Sequence, residues 1–343
     1  NDIEVEWLLN YRGGSFMIEN YPDISNECKI RGVGHQVIAD VQANVIYSEI
    51  SNPEVNMERV KLEVPPKVAV YSPKSKLPWD DAVTLVLTYA EIPYDVIYDE
   101  EIVRGDLPKY DWLHLHHEDF TGQYGKFYRS FRNAAWYQEE VRNQEAAAQK
   151  LGFNKVSKMK LHVATEIKNF VVGGGFLFTM CSGTDSFDIS LASHQTDIAE
   201  SMFDGDAADP AAQSKLDFAN GFAFKDYVLE RDPMKYEFSS IDGTDDHSRI
   251  REINDFFTLF DFSAKWDVIP TMLTQNHEQV IHGFMGQTTS FRKRYLKSDV
   301  TVMGENKSIQ TVKYIHGEYG QGQWTYYGGH DPEDYRHLVG DPP

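Results

Sequence analysis

Cysteine is nearly absent from this chain, with two residues, Cys28 and Cys181, in 343. Two thiols are too few for a disulfide framework or a four-thiolate zinc site, and a single bridge between them stays open. Long apolar runs are missing too: none approaches the roughly 20 residues needed to span a bilayer, so no membrane span is expected. Basic residues are outnumbered, 33 Lys and Arg against 53 Asp and Glu, for a net charge of −20. Such a balance repels phosphate backbones and anionic lipid, which excludes nucleic acid as an expected partner. The one basic cluster, Arg292, Lys293, Arg294 and Lys297, reads as a solvated face. No internal repeat or low-complexity tract occurs. What the chain does have is 41% hydrophobic and 13% aromatic content, enough to bury a large core in one big α/β domain or two smaller ones.

Asn1 stands first rather than Met, and residues 4–10 already read as a strand, so a processed or incomplete form is expected. Gly340-Asp341-Pro342-Pro343 reads as a turn rather than a finished element. The compartment stays open: a soluble protein, cytoplasmic or extracytoplasmic after removal of a signal peptide.

Short β-rich runs alternate with amphipathic stretches, which predicts βαβ units and a mostly parallel sheet with helices on both faces. Residues 1–64 read as a small N-terminal α/β region and linker: a strand at 4–10, a helix at 24–30, a strand at 36–40, a helix at 41–50, and a Pro-marked linker over 51–67. Residues 65–343 read as the main domain. It has strands at 68–71, 95–98 and 112–115, and a helix at 79–90. Long helices follow at 137–151 and 155–172, with Met159, Val163, Ile167 and Phe170 at helical spacing. Gly173-Gly174-Gly175 stops the second, and the apolar run 176–180 has the character of a central parallel strand. Beyond it, strands are expected at 256–262, 268–272, 300–303, 311–315 and 324–327, with Gly317, Gly320 and Gly322 marking the last turn.

Thr179-Met180-Cys181-Ser182-Gly183 places a nucleophilic residue between small neighbours just past a buried strand. A tight strand-to-helix turn of this kind needs small flanks, and the following helix N-terminus lowers a thiol pKa. On this reading Cys181 is the nucleophile and the Ser182 N–H, beside Gly183, an oxyanion donor. His330, just past the last strand, is the candidate base, oriented by Glu333 or Asp331. The alternative is an inert buried thiol, a common fate for cysteine after a core strand.

The triple-Gly stop, buried strand, Cys at an elbow and late Gly-x-Gly turn leading into His330-Asp331-Pro332-Glu333 resemble the class I glutamine-amidotransferase-like superfamily over roughly residues 67–333. That resemblance implies a flavodoxin-like sheet and a Cys-dependent amidohydrolase or amidotransferase acting on an amide such as glutamine, with no cofactor required. Two departures stand out. Pro332 occupies the place of the family's acid, with Glu333 one residue later, and Thr179 stands where a Gly is usual. The whole chain also resembles a bacterial family labelled asparagine synthetase B, through LLNYRGGSF, HLHHEDFTGQYGKF and GGHDPEDY. That label implies ATP-dependent asparagine synthesis, which ranks last: Ser182-Gly183-Thr184-Asp185-Ser186 is one residue short of the corresponding ATP loop.

The stretch around Trp112-Leu113-His114-Leu115-His116-His117-Glu118-Asp119 is the most unusual in the chain. Alternation puts His114 and His116 on one strand face, with His117 and Glu118 at the carboxyl end, where open α/β sheets bind ligands. Two functional readings compete with one in which the histidines only fix a turn. The imidazoles and Glu118 hold a divalent metal, or the loop from Gly122 to Gly125 supplies oxyanion donors while the histidines position substrate. Phe127, Tyr128, Phe131, Trp136 and Tyr137 are candidate sugar-stacking platforms, against the commoner role of core. The rival to an amide-acting enzyme is thus a non-catalytic module that binds a metal or a carbohydrate-like ligand on a degenerate scaffold.

Overall fold

The computed structural model describes residues 3–62, 65–73, 82–243, 256–267, 269–270, 273–274, 278–283 and 286–329. The chain divides into two units, Asn1–Pro65 with Phe260–Gln279, and Pro66–Leu259 with Val280–Pro343.

In the first unit, β1 (Val5–Leu9), β2 (Ser15–Ile18) and β3 (Glu58–Leu62) form an antiparallel sheet in the order β2-β1-β3, with α1 (Ile24–Ile30) and α2 (Asp40–Ile50) between the second and third strands. Leu8, Tyr11 and Ile50 form its small core, with Met17, Ile46, Tyr47 and Met57 packed on it. Two expectations are corrected. The stretch read as a linker contains β3, whose polar sequence is held by pairing with β1 and by the Arg59 guanidinium over the Tyr47 ring at 4.6 Å. No strand forms over 36–40: Val37 is exposed, and α2 begins at Asp40.

The second unit opens with β4 (Val68–Tyr71), α3 (Ala82–Tyr89), β5 (Tyr94–Ile97), α4 (Asp99–Val103) and β6 (Trp112–Leu115). Next come α5 (Tyr128–Phe131), α6 (Ala135–Lys150), α7 (Val156–Val172), β7 (Phe176–Met180), α8 (Ser182–Ala192) and α9 (Ser201–Asp204). It closes with β8 (Phe256–Leu259), β9 (Val280–His282), β10 (Phe291–Arg292), β11 (Thr301–Asn306), β12 (Thr311–Tyr319) and β13 (Gly322–Tyr327). The strand expected at 268–272 falls largely outside the described residues, and Gly317 lies inside β12 rather than in the turn.

These strands build one sheet in the order β5-β4-β6-β7-β13-β12-β11-β8-β9, with β10 paired to β12. Neighbours from β5 to β13 run parallel; the pairings from β13 onward are antiparallel. The expected mostly parallel sheet is therefore a mixed one. After β13 the sheet grows by antiparallel neighbours, and the β12–β13 pair is closed by a tight hairpin that needs no crossover helix.

Helices cover both faces, and β4 shows why. Its side chains alternate with a period of two, so Ala69 and Tyr71 join the core that holds Val163 and Ile167 of α7, while Val68 and Val70 pack with Leu87 of α3. Tyr71, Ile97, Leu115, Met180 and Tyr327 end the five parallel strands at one common edge. The loops beyond that edge carry the polar residues singled out in the sequence.

Candidate functional site at the carboxyl edge of the sheet

Between β7 and α8 the chain turns on a single residue. Cys181 adopts φ 50° and ψ −136°, a region costly for a side chain with a Cβ. Its N–H donates to the carbonyls of Tyr327 (3.0 Å) and Gly329 (3.1 Å), which over-determines the turn. Gly183 has to be small, because a Cβ there would lie 2.8 Å from Thr179 Oγ1 and 3.0 Å from the His116 carbonyl. The thiol is 1% exposed, and its sulfur accepts the backbone N–H of Gln287 at 3.1 Å.

Helix α8 binds the histidine loop through its own hydroxyls. Ser182 Oγ donates to the His117 carbonyl (2.7 Å) and Ser186 Oγ to the Glu118 carbonyl (3.1 Å), while Phe120 N donates back to Ser186 Oγ (3.2 Å). His116 and His117 face each other, Nδ1 to Nδ1, at 3.0 Å. His114 lies apart from them, stacked on Phe178 at 5.3 Å with Nε2 unpartnered, and burial pushes its imidazole down to about 4. A strand histidine with a neutral, enclosed ring of this kind is core rather than site.

The loop that follows is wound around Asp119. That carboxylate accepts the Thr121 N–H and hydroxyl (both 2.6 Å), the Gln123 N–H (2.8 Å) and the Gly125 N–H (3.1 Å). The Gly125 amide, expected as an oxyanion donor, is thus committed inside its own loop. Gly122 has φ +77°, and a Cβ there would meet the Ser157 Cα of α7 at 2.6 Å, so it serves close packing.

A third segment, 286–289, ties the other two together. Besides the Gln287 N–H on Cys181, the Gln287 side-chain amide donates to the carbonyls of Gly125 and Tyr236. Thr288 Oγ1 donates to Asp185 Oδ1 at 2.9 Å. Asp185 is fully buried on the first turn of α8 with Oδ2 unpartnered, and burial pushes its carboxyl up to about 7. Burial also drives the Glu118 carboxyl up, to about 8, with Lys160 opposing. Sequence reasoning missed Asp185, Gln287 and Thr288. For Asp185 a signal existed: it and Asp188 are the two acids on a helix whose other residues are small or apolar, and a buried acid must find partners or stay neutral.

His330, Asp331 and Glu333, expected as base and orienting acids, lie outside the described residues. The expected metal site at His114, His116, His117 and Glu118 is corrected. Among the described residues, the group of three side chains that brings ligand atoms within 4.8 Å of one another is Asp197, Asp204 and Asp206. Their oxygens suit a hard divalent cation. The Lys155 ammonium already lies among them, 2.7 Å from Asp197, 3.0 Å from Asp204 and paired to Asp206. The histidine set fails because His114 points into the core. Both cysteines are free thiols.

No family model matches the chain, and no curated protein matches it. Three solved structures illustrate what it is similar to. A cytoplasmic protein, STM1381, from Salmonella typhimurium LT2 is 12% identical, covering 79% of this chain and 94% of its own at a TM-score of 0.36. The GH42 beta-galactosidase Gan42B is 15% identical (80% of this chain, TM-score 0.31), and this chain spans only 29% of its length. A Thermoplasma acidophilum protein named for a GMP synthase component is 7% identical, covering 76% of this chain and 82% of its own at 0.34. At these values the likenesses carry no weight for function.

The comparisons and the geometry overturn the family expectation. With no matching model and no matching curated protein, neither the class I glutamine-amidotransferase-like superfamily nor the family labelled asparagine synthetase B is supported as a home for this chain. The Cys-dependent amidohydrolase reading falls with it: the sulfur of Cys181 is enclosed and already hydrogen-bonded, in a setting with no exposed reactive thiol. The asparagine-synthetase reading fails on local structure as well. Ser182 to Ser186 form the buried first turns of α8, with no open loop to receive a phosphate. Among the described residues no helix is long and apolar enough to cross a membrane.

Proposed function

We propose that this chain is a binding module for a small, neutral, carbohydrate-like ligand, taken up at the carboxyl edge of its parallel strands. One observation carries the reading: three segments distant in sequence, 116–125, 181–188 and 286–289, are joined there by side-chain hydrogen bonds into one buried polar constellation. The strand order β5-β4-β6-β7 supports a flavodoxin-like arrangement, with its reversal point between β4 and β6, beside the histidine loop. Ligands in open α/β sheets enter the crevice at such a point.

The chemistry of the edge favours hydroxyls over charge. A carboxyl group that stays neutral donates one hydrogen bond and accepts others, as a sugar hydroxyl does, and imidazole and amide groups share that duality. Glu118, Asp185, His116, His117 and Gln287 all belong to this class. Ser182, Gly183, Gly122 and Gly125 give the edge its shape, and Cys181 holds the turn on which Asp185 is mounted. A phosphate or carboxylate ligand would meet a strongly negative chain.

Saturation-transfer NMR and calorimetry against a panel of neutral mono- and oligosaccharides test the reading. Binding of at least one sugar, weakened about tenfold by D185N or Q287A for the loss of one buried hydrogen bond, is expected. The absence of any saturating response at millimolar sugar would remove the proposal.

A further inference from the structure

Behind the histidine loop lies a buried polar chain of which the carbohydrate reading uses only the end, Glu118. Lys160 of α7 is fully buried; its Nζ donates to Asp99 Oδ2 (2.9 Å) and Oδ1 (3.1 Å), Tyr71 Oη (2.9 Å) and Tyr98 Oη (3.2 Å). Tyr71 donates to Asp99 as well. Tyr98 Oη in turn donates to Glu118 Oε2 at 3.2 Å. A line of hydrogen bonds therefore runs from an enclosed ammonium, through one tyrosine, to the carboxyl group of the loop that borders the site. The Lys160 ammonium also lies 4.5 Å from the Tyr98 ring centroid, which fixes that ring between the ammonium and the Glu118 carboxyl group.

The surroundings of Glu118 decide how it responds to a proton. Asp99 on α4 and Glu140 on α6 raise its carboxyl, Lys160 on α7 and the Tyr98 hydroxyl lower it, and desolvation raises it most. Tyr71 on β4 joins Lys160 and Asp99 just behind, and His116, His117 and Asp119 flank it on its own loop. Lys160 is already shared with Asp99, so one ammonium faces two buried carboxyl groups. An ionised Glu118 adds a negative charge that Lys160, already paired with Asp99, offsets only in part. The loop is seated on α8 by hydroxyl bonds from Ser182 and Ser186 to the carbonyls of His117 and Glu118, by the Phe120 N–H on Ser186 Oγ, and by the Phe120 ring edge-on to Phe187.

Resting on the reading of the edge as a polar ligand site, we propose that Lys160, Tyr98 and Glu118 form a proton-linked positioning relay. Protonated Glu118 keeps the histidine loop seated for the ligand, and its ionisation unseats the loop and weakens binding. Glu118, Tyr98 and Lys160 are positioning residues here; none of them transfers a proton to a ligand.

The test has two independent arms. In the first, protein labelled at the Glu side-chain carboxyl carbon is titrated by NMR without ligand. One carboxyl is expected to titrate near pH 8, far above the ordinary glutamate value of 4.5. Y98F, which removes the donor to the ionised form, moves that midpoint up, and E140Q moves it down, each by about half a unit or more. K160M/D99N, which removes the whole ion pair together, checks that the resonance belongs to this pocket. No carboxyl titrating above pH 6, or a midpoint indifferent to Y98F and E140Q, would overturn the relay. In the second arm, affinity for the bound sugar is measured across pH. It is expected to fall at least tenfold through the NMR midpoint and to shift with it in Y98F; affinity flat through that midpoint would overturn the coupling. If the carboxyl titrates as expected and no sugar binds, the ligand reading fails while the electrostatics of Glu118 stand.

Discussion

The backbone N–H of Gln287 points at the sulfur of Cys181 from 3.1 Å, across 106 positions of sequence. The contact closes the segment 286–289 over the turn between β7 and α8, and leaves the thiol 1% exposed. Cys28, by contrast, is partly exposed on α1. Alkylation by iodoacetamide under native conditions is therefore expected to mark Cys28 first, with Cys181 slower by at least ~10-fold and released only on local opening of about 1.4 kcal/mol or more. Mass spectrometry of timed digests reads the ratio; equal rates would show that the sulfur is not enclosed.

The same residue carries backbone strain. At φ 50° and ψ −136° any residue with a Cβ pays for its conformation, while glycine adopts it freely. C181G is expected to be more stable than C181A by about 1 kcal/mol, the reverse of the ordinary order. Urea denaturation of the two variants checks this. C181A more stable than C181G would mean that the turn relaxes.

Asp188 is the most heavily used carboxylate in α8. Oδ1 accepts from Phe222 N and Tyr326 Oη (both 2.8 Å), and Oδ2 from Ala223 N and Phe224 N (both 2.9 Å). Those four donors are enclosed, so D188A strands all of them and is expected to cost on the order of 4 kcal/mol or more, at roughly 1–3 kcal/mol for each unmet group. D188N keeps one acceptor and turns an NH2 toward N–H donors, and is expected to fall between D188A and the parent. Thermal denaturation by circular dichroism orders the three.

These contacts mark where reading from sequence succeeds and where it stops. The strand 176–180 and the helix beginning near 156 were legible because an apolar run and a 3.6-residue repeat are local signals. So was the turn at Cys181, since small residues on both sides of a nucleophile-type residue imply tight backbone. The strand β3 was not, because Glu58–Leu62 is mostly polar and is made a strand by its pairing with β1, from Leu9 opposite Glu58 to Val5 opposite Leu62, a distant segment of the chain. Three donors to Asp188 arrive from a loop 34 to 36 positions away and the fourth from β13, 138 away, while the donor to the sulfur of Cys181 lies 106 away, with no periodicity to announce any of them. The histidines misled for a related reason. Alternation correctly separated His114 from Leu113 and Leu115, but the shared face it implied for His114 and His116 ends with the strand, and His114 turns out to stack on Phe178 inside the sheet's cover.

That burial gives the acid limb of the stability curve a predictable shape. Burial lowers both His114 and His316 from 6.5 to about 4; His316 lies on β12, with its Nδ1 3.1 Å from Thr325 Oγ1. In the unfolded chain these rings take up protons near pH 6.5, whereas in the folded state they stay neutral until about pH 4. Between those values the unfolded state binds more protons, so stability rises with pH across the window and is lost as pH falls through it. H114F keeps the stack on Phe178 and removes an enclosed, unpartnered nitrogen, a group whose desolvation costs about 1–3 kcal/mol. The variant is expected to be as stable as the parent or more so at pH 7. It is expected to gain further on the parent as pH falls from 6.5 to 4, because one of the two protons taken up on unfolding is gone. Urea midpoints measured in half-unit steps over that range give the proton difference directly. An unchanged slope for H114F would mean that His114 is charged in the folded protein and has a partner there.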